Sequence, residues 1–236
     1  MNFKQINDTF IRNISGLTFG RPISHVYNPL EYARQPYDLY LKLYGNTPKE
    51  ILLLGMNPGP WGMAQTGIPF GEITMVKNWL KLEAPVEIPD DTHPKKPILG
   101  FECKRSEVSG QRLWGWARRR YITPERFFSR YFIANYCPLL FIEPTGRNRT
   151  PDNLPIGQRR PLLKICDLAL RQTVELLKPR HVIGVGQFAA SRAGQALTGM
   201  NVCIGKINHP SPANPRANRG WGKLVEGELS AMGIRL

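Results

Sequence analysis

Acidic residues are scarce in this chain. Its 236 residues hold 18 Asp and Glu against 32 Lys and Arg, for a net charge of +14 and a pI near 9.9. Such an imbalance draws a chain to polyanions, nucleic acid first among them. The plain alternative is a solvated surface that happens to be basic. Cysteine is also sparse. The four, at 103, 137, 166 and 203, form no C-x-x-C pair and match no zinc spacing. Cys137, Cys166 and Cys203 sit in apolar runs and read as small core residues of a reducing compartment. No apolar run approaches the roughly 18 residues of a membrane span. The opening "MNFKQINDTFIRN" lacks the apolar core of a signal peptide. An intracellular protein is expected, nuclear in a eukaryote and cytoplasmic, beside the nucleoid, in a bacterium. There is no repeat at a solenoid period. Length and a 42% hydrophobic content predict one globular domain over residues 1–236.

Short apolar strands alternate with helical patterns. "EILLL", "RYFIANYCPL" as far as Asn135, "HVIGVG" and "NVCIGKINH" read as strands. Helices are expected around Pro29 to Tyr44, from Ile73 to Leu82, Ser109 to Arg120, Arg160 to Leu177 and Gln187 to Leu197, and in a last stretch with Trp221, Val225 and Leu229 on one stripe. The rest of residues 1–50 reads as irregular. "EAPVEIPDDTHPKKPI" reads as an aperiodic connection, and "LLFIEPTGRNRTPDNLP" as a long loop. The alternation predicts an α/β fold with a parallel sheet covered on both faces. Ligands of such sheets sit beyond the carboxyl ends of the strands. Asn135, His209 and the loop after "EILLL" all fall there.

That loop, "GMNPGPWGMAQTGIPFGE" (Gly55 to Glu72), holds five glycines and three prolines, so it is mostly not helical. Yet Met56, Trp61, Met63, Ile68 and Phe70 make it too apolar for a solvated loop. A rigid pocket wall explains both properties. Pro58, Pro60 and Pro69 stiffen the chain, and Gly55, Gly59 and Gly62 admit a ligand closely.

Together with "NHPSPANPRANRGW" (Asn208 to Trp221), this loop resembles the two signature motifs of the single-strand-selective monofunctional uracil-DNA glycosylases, within the uracil-DNA glycosylase superfamily. "FIANYCPLLF" and "PTGRNRTP" are similar to that family's middle segments, and the likeness runs from about residue 20 to the C-terminus. The resemblance implies a three-layer α/β/α sandwich around a short parallel sheet. It implies hydrolysis of the N-glycosidic bond of uracil and oxidised uracils, such as 5-hydroxymethyluracil, in single- and double-stranded DNA. An abasic site is left for base excision repair. No cofactor, no metal and no membrane are implied, and the protein is expected to be a monomer.

The resemblance also assigns roles. Phe70 stacks on the base, in a pocket bordered by Met56, Gly59 and Met63. Glycine at 59 leaves room on the C5 side. Asn135 reads the base edge, since an amide matches the N3 proton and O4 acceptor of uracil. An amide could rotate to suit cytosine, so its orientation must be locked by a neighbour that the sequence does not name. Asn57 holds the attacking water. Unlike the paired carboxylates of many glycosidases, it cannot take a proton, so catalysis must come mainly from helping the base leave. His209 does this by donating to O2 as negative charge builds there, provided its other nitrogen is fixed. Pro210, Ser211 and Pro212 form a turn that grips phosphates. Asn214 caps a helix that begins at Pro215. Arg216, Asn218 and Arg219 enter the gap left by the flipped base. Trp61 and Asn208 depart from relatives, and Asn208 could alter substrate range. Neither loop holds a lysine, which fits a monofunctional enzyme.

Taken alone, most of these residue types have blander uses. A Phe packs cores, a strand-end Asn forms turns, and a lone His is structural, the role expected of His25, His93 and His181. A Ser211–His209 hydrolase lacks a nucleophile elbow, and "GVGQFA" is a weak phosphate-loop match. A non-catalytic basic nucleic-acid-binding module is the remaining alternative.

Overall fold

The computed structural model describes residues 2–236. Among the described residues, seven strands lie in chain order: β1 (His25–Tyr27), β2 (Ile51–Gly55), β3 (Tyr131–Asn135), β4 (Leu140–Ile142), β5 (Asn148–Arg149), β6 (His181–Val185) and β7 (Cys203–Ile207). The central sheet has the order β3-β2-β6-β7 and is parallel throughout. β2 is buried along its whole length, because helices flank the sheet and leave no face for water. Gly55 pairs with Asn135 and Val185 with Ile207. The carboxyl ends of β2, β3 and β7 therefore share one rim, and Met56, Asn135 and Asn208 leave from it.

The predicted helices recur with shifted ends: Val108–Tyr121, Ile156–Leu177, Gln187–Ala196 and Trp221–Ala231. The Ile73 helix turns π-helical at Val76 and stops at Leu80, where Lys81 takes a left-handed conformation. The segment around Pro29 to Tyr44 breaks at Ala33 into Pro29–Tyr32 and Arg34–Tyr44.

Three expectations are overturned. Residues 1–50 are not largely irregular, because Phe3–Ser15 is a helix. Asn2 accepts from the Gln5 backbone and Gln5 answers from its side chain, a reciprocal N-terminal cap. The long loop after Asn135 contains β4 and β5, which form with β1 a three-stranded antiparallel sheet of order β1-β4-β5. Strands of two and three residues carry too little alternation to read from sequence, and β4 pairs with β1 from a distant part of the chain. Cys203 is exposed at the start of β7, whereas Cys103, Cys137 and Cys166 are buried. β7 pairs with β6 alone, so an apolar run at this sheet edge does not ensure burial.

The largest buried side chains include Trp114, Trp116, Tyr131 and Phe127. They pack edge-on and stacked between the helix Val108–Tyr121 and β3. This aromatic cluster anchors the helix that closes one side of the site.

Candidate active site

A cavity of about 420 Å³ opens at the shared rim. It is lined by Met56, Asn57, Gly59, Phe70, Asn135, His209 and Ser211 among the residues singled out in the sequence, and also by Glu107, Ser109, Asn148 and Thr150. Asn57, Phe70, Asn135 and His209 therefore face one common space, wide enough for a flat ring.

The first wall is the loop after β2. It is folded inward: residues 62–73 are buried without exception. Its polar needs are met by its own side chains. Gln65 donates to the Pro60 and Pro97 carbonyls at 2.8 and 3.0 Å and accepts from Leu99 N–H at 2.8 Å. Thr66 donates to the Gly71 carbonyl at 3.1 Å. Phe70 adopts φ 54°, a left-handed conformation that is uncommon for a bulky residue. The helix Val108–Tyr121 presses on it there, since a Cβ on Gly110 would overlap the Phe70 carbonyl oxygen. The ring is thereby held as a shelf, 6.0 Å from the His209 ring between centroids.

Asn57 donates Nδ2 to the Leu139 carbonyl at 3.1 Å, which leaves Oδ1 as the acceptor it offers the cavity. Asn135 donates Nδ2 to Met63 Sδ at 3.1 Å. A thioether can only accept. The amide nitrogen therefore belongs on the Met63 side, and the oxygen is kept away from it. This is the lock that the sequence left unnamed. Met63 thus acts from behind Asn135 and does not itself line the cavity.

The second wall, after β7, lies on the surface and is tied by polar contacts. His209 Nδ1 accepts the Ser211 N–H at 3.0 Å, so the ring proton sits on Nε2. Burial lowers the imidazole to about 4, and the ring is neutral at physiological pH. A neutral ring with a fixed Nε2–H is a hydrogen-bond donor without charge. Asn208 is engaged in the loop itself. Its N–H and its Nδ2 both reach the Glu228 carboxylate, and its Oδ1 accepts from Asn214 Nδ2 at 3.1 Å. Its amide thus holds the turn. Asn214 also donates to the His209 carbonyl at 2.9 Å, and it caps the short helix Pro215–Asn218. Trp221 Nε1 donates to the Asn208 carbonyl at 2.7 Å.

Pro210, Pro212, Asn214, Arg216, Asn218 and Arg219 stand outside the cavity. Asn218 braces the wall, accepting from Arg112 and donating to the Pro212 carbonyl, both at 2.9 Å. Arg112 also donates to the Pro210 carbonyl at 2.9 Å. Arg216 is exposed, and Arg219 lines a separate basic groove with Arg119, Arg120 and Lys223. On the other side of the mouth, Trp61 lies under the Arg105 guanidinium at 4.0 Å and Lys96 Nζ at 4.8 Å from the ring centroid.

Residues 43–224 match the uracil DNA glycosylase superfamily. The chain belongs to that superfamily. It is 48% identical over 223 residues to the single-strand selective monofunctional uracil DNA glycosylase of Mus musculus, covering 94% of this chain and 80% of the relative. It is 49% identical over 220 residues to the protein of the same description from Bos taurus, covering 92% and 81%. A crystal structure of SMUG2 from Pedobacter heparinus superposes with a TM-score of 0.69 over 97% of each chain at 18% identity, a likeness of fold. In this uracil DNA glycosylase superfamily member, sequence reasoning missed Glu107, Ser109, Asn148, Thr150 and Arg112. Only Asn148 and Thr150 lay in a segment marked by the resemblance, "PTGRNRTP". Glu107 and Ser109 precede and open a helix with no motif of their own. No group of His, Cys, Asp and Glu among the described residues could hold a metal ion.

Proposed function

We propose that the chain is a monofunctional uracil-DNA glycosylase, a hydrolase of N-glycosyl bonds acting in base excision repair. It flips a pyrimidine from DNA into the cavity at the sheet rim. The Phe70 shelf carries the ring. Asn135, held by Met63, accepts the N3 proton through Oδ1 and donates to O4 through Nδ2. Cytosine presents the reversed pattern at those two atoms and leaves the amide unpaired.

As the glycosidic bond lengthens, electrons collect on the leaving base. His209 Nε2–H donates to O2 and stabilises that charge, an effect of about 3–4 kcal/mol for a well-placed donor. The sugar cation formed opposite is favoured by the DNA phosphates. Asn57 Oδ1 accepts a hydrogen bond from the attacking water and orients it toward C1′. The product is an abasic site. Among the described residues no lysine lines the cavity, which supports hydrolysis without a Schiff base.

The observation that carries this reading is the Ser211 N–H on His209 Nδ1. It presents Nε2–H to the same cavity as an oriented Asn135 and a fixed Phe70. Arg105 and Lys96 over Trp61, and the exposed Arg216 of the loop after β7, support binding of both single- and double-stranded DNA by one monomer. Oxidised uracils with small C5 substituents are accepted as well as uracil.

Incubation with oligonucleotides containing uracil, 5-hydroxymethyluracil or thymine, single- and double-stranded, followed by alkaline cleavage, tests this. Cuts are expected at uracil and 5-hydroxymethyluracil but not at thymine. DNA binding with no base release would leave only the binding-module alternative. A break without alkali would refute the monofunctional mechanism.

A further inference from the structure

One carboxylate in the cavity has no part in the chemistry above. Glu107 stands just before the helix Val108–Tyr121 and lines the space with Asn57, Phe70, Asn135 and His209. Its side chain caps no N–H of that helix. It is pressed on the Gly59–Gly62 turn: a Cβ on either glycine would overlap its carboxylate. The space above Gly59 is thus filled by Glu107, and the absent side chain admits a carboxyl. Burial raises Glu107 to about 7, and the Glu72 carboxylate pushes the same way. An unpaired acid kept in a pocket at such a cost calls for a partner from outside the chain.

The turn that Glu107 rests on leads directly into Met63, which takes the Asn135 Nδ2. Nδ2 is the end of the amide that meets O4. Around a pyrimidine ring C5 follows C4, on the side away from O2, where His209 donates. The Gly59–Met63 turn and the Glu107 carboxyl on it therefore border the C5 edge.

We propose that Glu107 is the specificity-determining residue for C5, hydrogen bonding a hydroxyl carried there, so that the pocket selects 5-hydroxymethyluracil and turns thymine away. This deepens, and rests on, the glycosylase reading. A hydroxyl can donate to the carboxylate or accept from the acid, so either protonation state is matched. The thymine methyl covers the same carboxyl and offers it nothing, and an unpaired buried polar group is a strong means of rejecting a near-isostere. Uracil, bare at C5, leaves the carboxyl to solvent.

The test compares single-turnover excision of uracil, 5-hydroxymethyluracil and 5-ethyluracil from one oligonucleotide. Ethyl has the size of hydroxymethyl without the hydroxyl. The wild-type chain is expected to prefer 5-hydroxymethyluracil over 5-ethyluracil by about tenfold or more, as for one hydrogen bond to a charged group. In Glu107→Leu the ratio of 5-hydroxymethyluracil to uracil rates falls about tenfold, and that of thymine to uracil rises. Glu107→Gln, which keeps a donor and an acceptor, retains most of the first ratio. Equal wild-type rates on the two C5-substituted bases overturn the proposal, as do unchanged ratios in the leucine variant. Rates on all bases that fall together in that variant overturn it too, and would mark Glu107 as serving the attacking water. No uracil excision by the wild type would instead refute the glycosylase reading itself.

Discussion

The two walls of the cavity are built in opposite ways. The loop after β2 is part of the interior, its backbone gripped by buried side chains and by the helix Val108–Tyr121. The loop after β7 is part of the surface, its turn held by Asn208, Asn214, Glu228 and Arg112 through hydrogen bonds. The first wall supplies shape, with Phe70 and the Asn135–Met63 pair. The second supplies the neutral Nε2–H donor of His209. A wall set by packing is costly to deform, whereas a wall set by exposed polar contacts can shift as DNA arrives. Division of labour follows from that: damage to the first wall should register in stability and activity together, damage to the second in activity first.

The largest effect is expected at the second wall's donor. His209→Ala removes Nε2–H from the site and should slow single-turnover uracil excision by about a hundred- to a thousandfold. The ring sits half-buried at the rim, so the thermal midpoint should move little. A fall in stability that accounts for the lost activity would show that the histidine holds the fold and not the reaction.

Next comes a break in the first wall. Gly110→Ala places a methyl where the Phe70 carbonyl oxygen and Glu72 Cβ already stand. Backbone cannot yield cheaply, so a loss of about 1–3 kcal/mol in denaturant unfolding is expected. Activity should fall with it, because Phe70 is moved. Activity retained at full stability would mean that the shelf is softer than its contacts imply.

A smaller effect separates the walls more sharply. Asn214→Ala frees the short helix and the His209 carbonyl, and a lost cap costs about 1 kcal/mol. Excision should drop about tenfold as His209 loses its bearing, with KM for DNA rising and the first wall intact. A proportionate loss of stability and rate, as for Gly110→Ala, would erase the distinction.

How much of this was legible follows the same division. The parallel sheet and its rim could be read from four apolar runs, three of them, β2, β3 and β6, continuous because the strand is largely buried on both faces. The first wall could be recognised as a wall from its stiffness and greasiness alone. The small sheet could not be read: β1, β4 and β5 are each three residues or fewer, and the pairing of β1 with β4 is a long-range event. The second wall's residues were nameable from the resemblance, and Asn214 was legible as the cap of the helix that begins at Pro215, but the contacts that brace the turn were not. Asn218 and Asn208 turned out to brace the turn, since hydrogen bonding between side chains leaves no periodic trace. Glu107 escaped for a related reason. A single acid before a helix reads as an ordinary helix start, and only the fold brings it onto Gly59.

The smallest expected effect is in pH, and the two walls should titrate in opposite directions. His209 is depressed to about 4 by burial, so the fold favours its neutral form. The stability it contributes is present above pH 6.5, the ordinary value of the group, and is lost as pH falls through 4. The donor form is fully populated above about pH 5, and no acid limb in rate is expected above that point. Glu107 is raised to about 7, so its contribution is present below pH 4.5 and is lost as pH rises through 7. Above 7 the carboxylate also opposes negative charge on the departing base. Single-turnover uracil excision should therefore decline severalfold between pH 7 and 9 in the wild type and stay flat over that range in Glu107→Gln. That variant should also unfold at a higher temperature than wild type at pH 8, and lose that advantage by pH 5. An alkaline limb that persists unchanged in Glu107→Gln would place the titrating group elsewhere, and would leave the first wall a purely steric one.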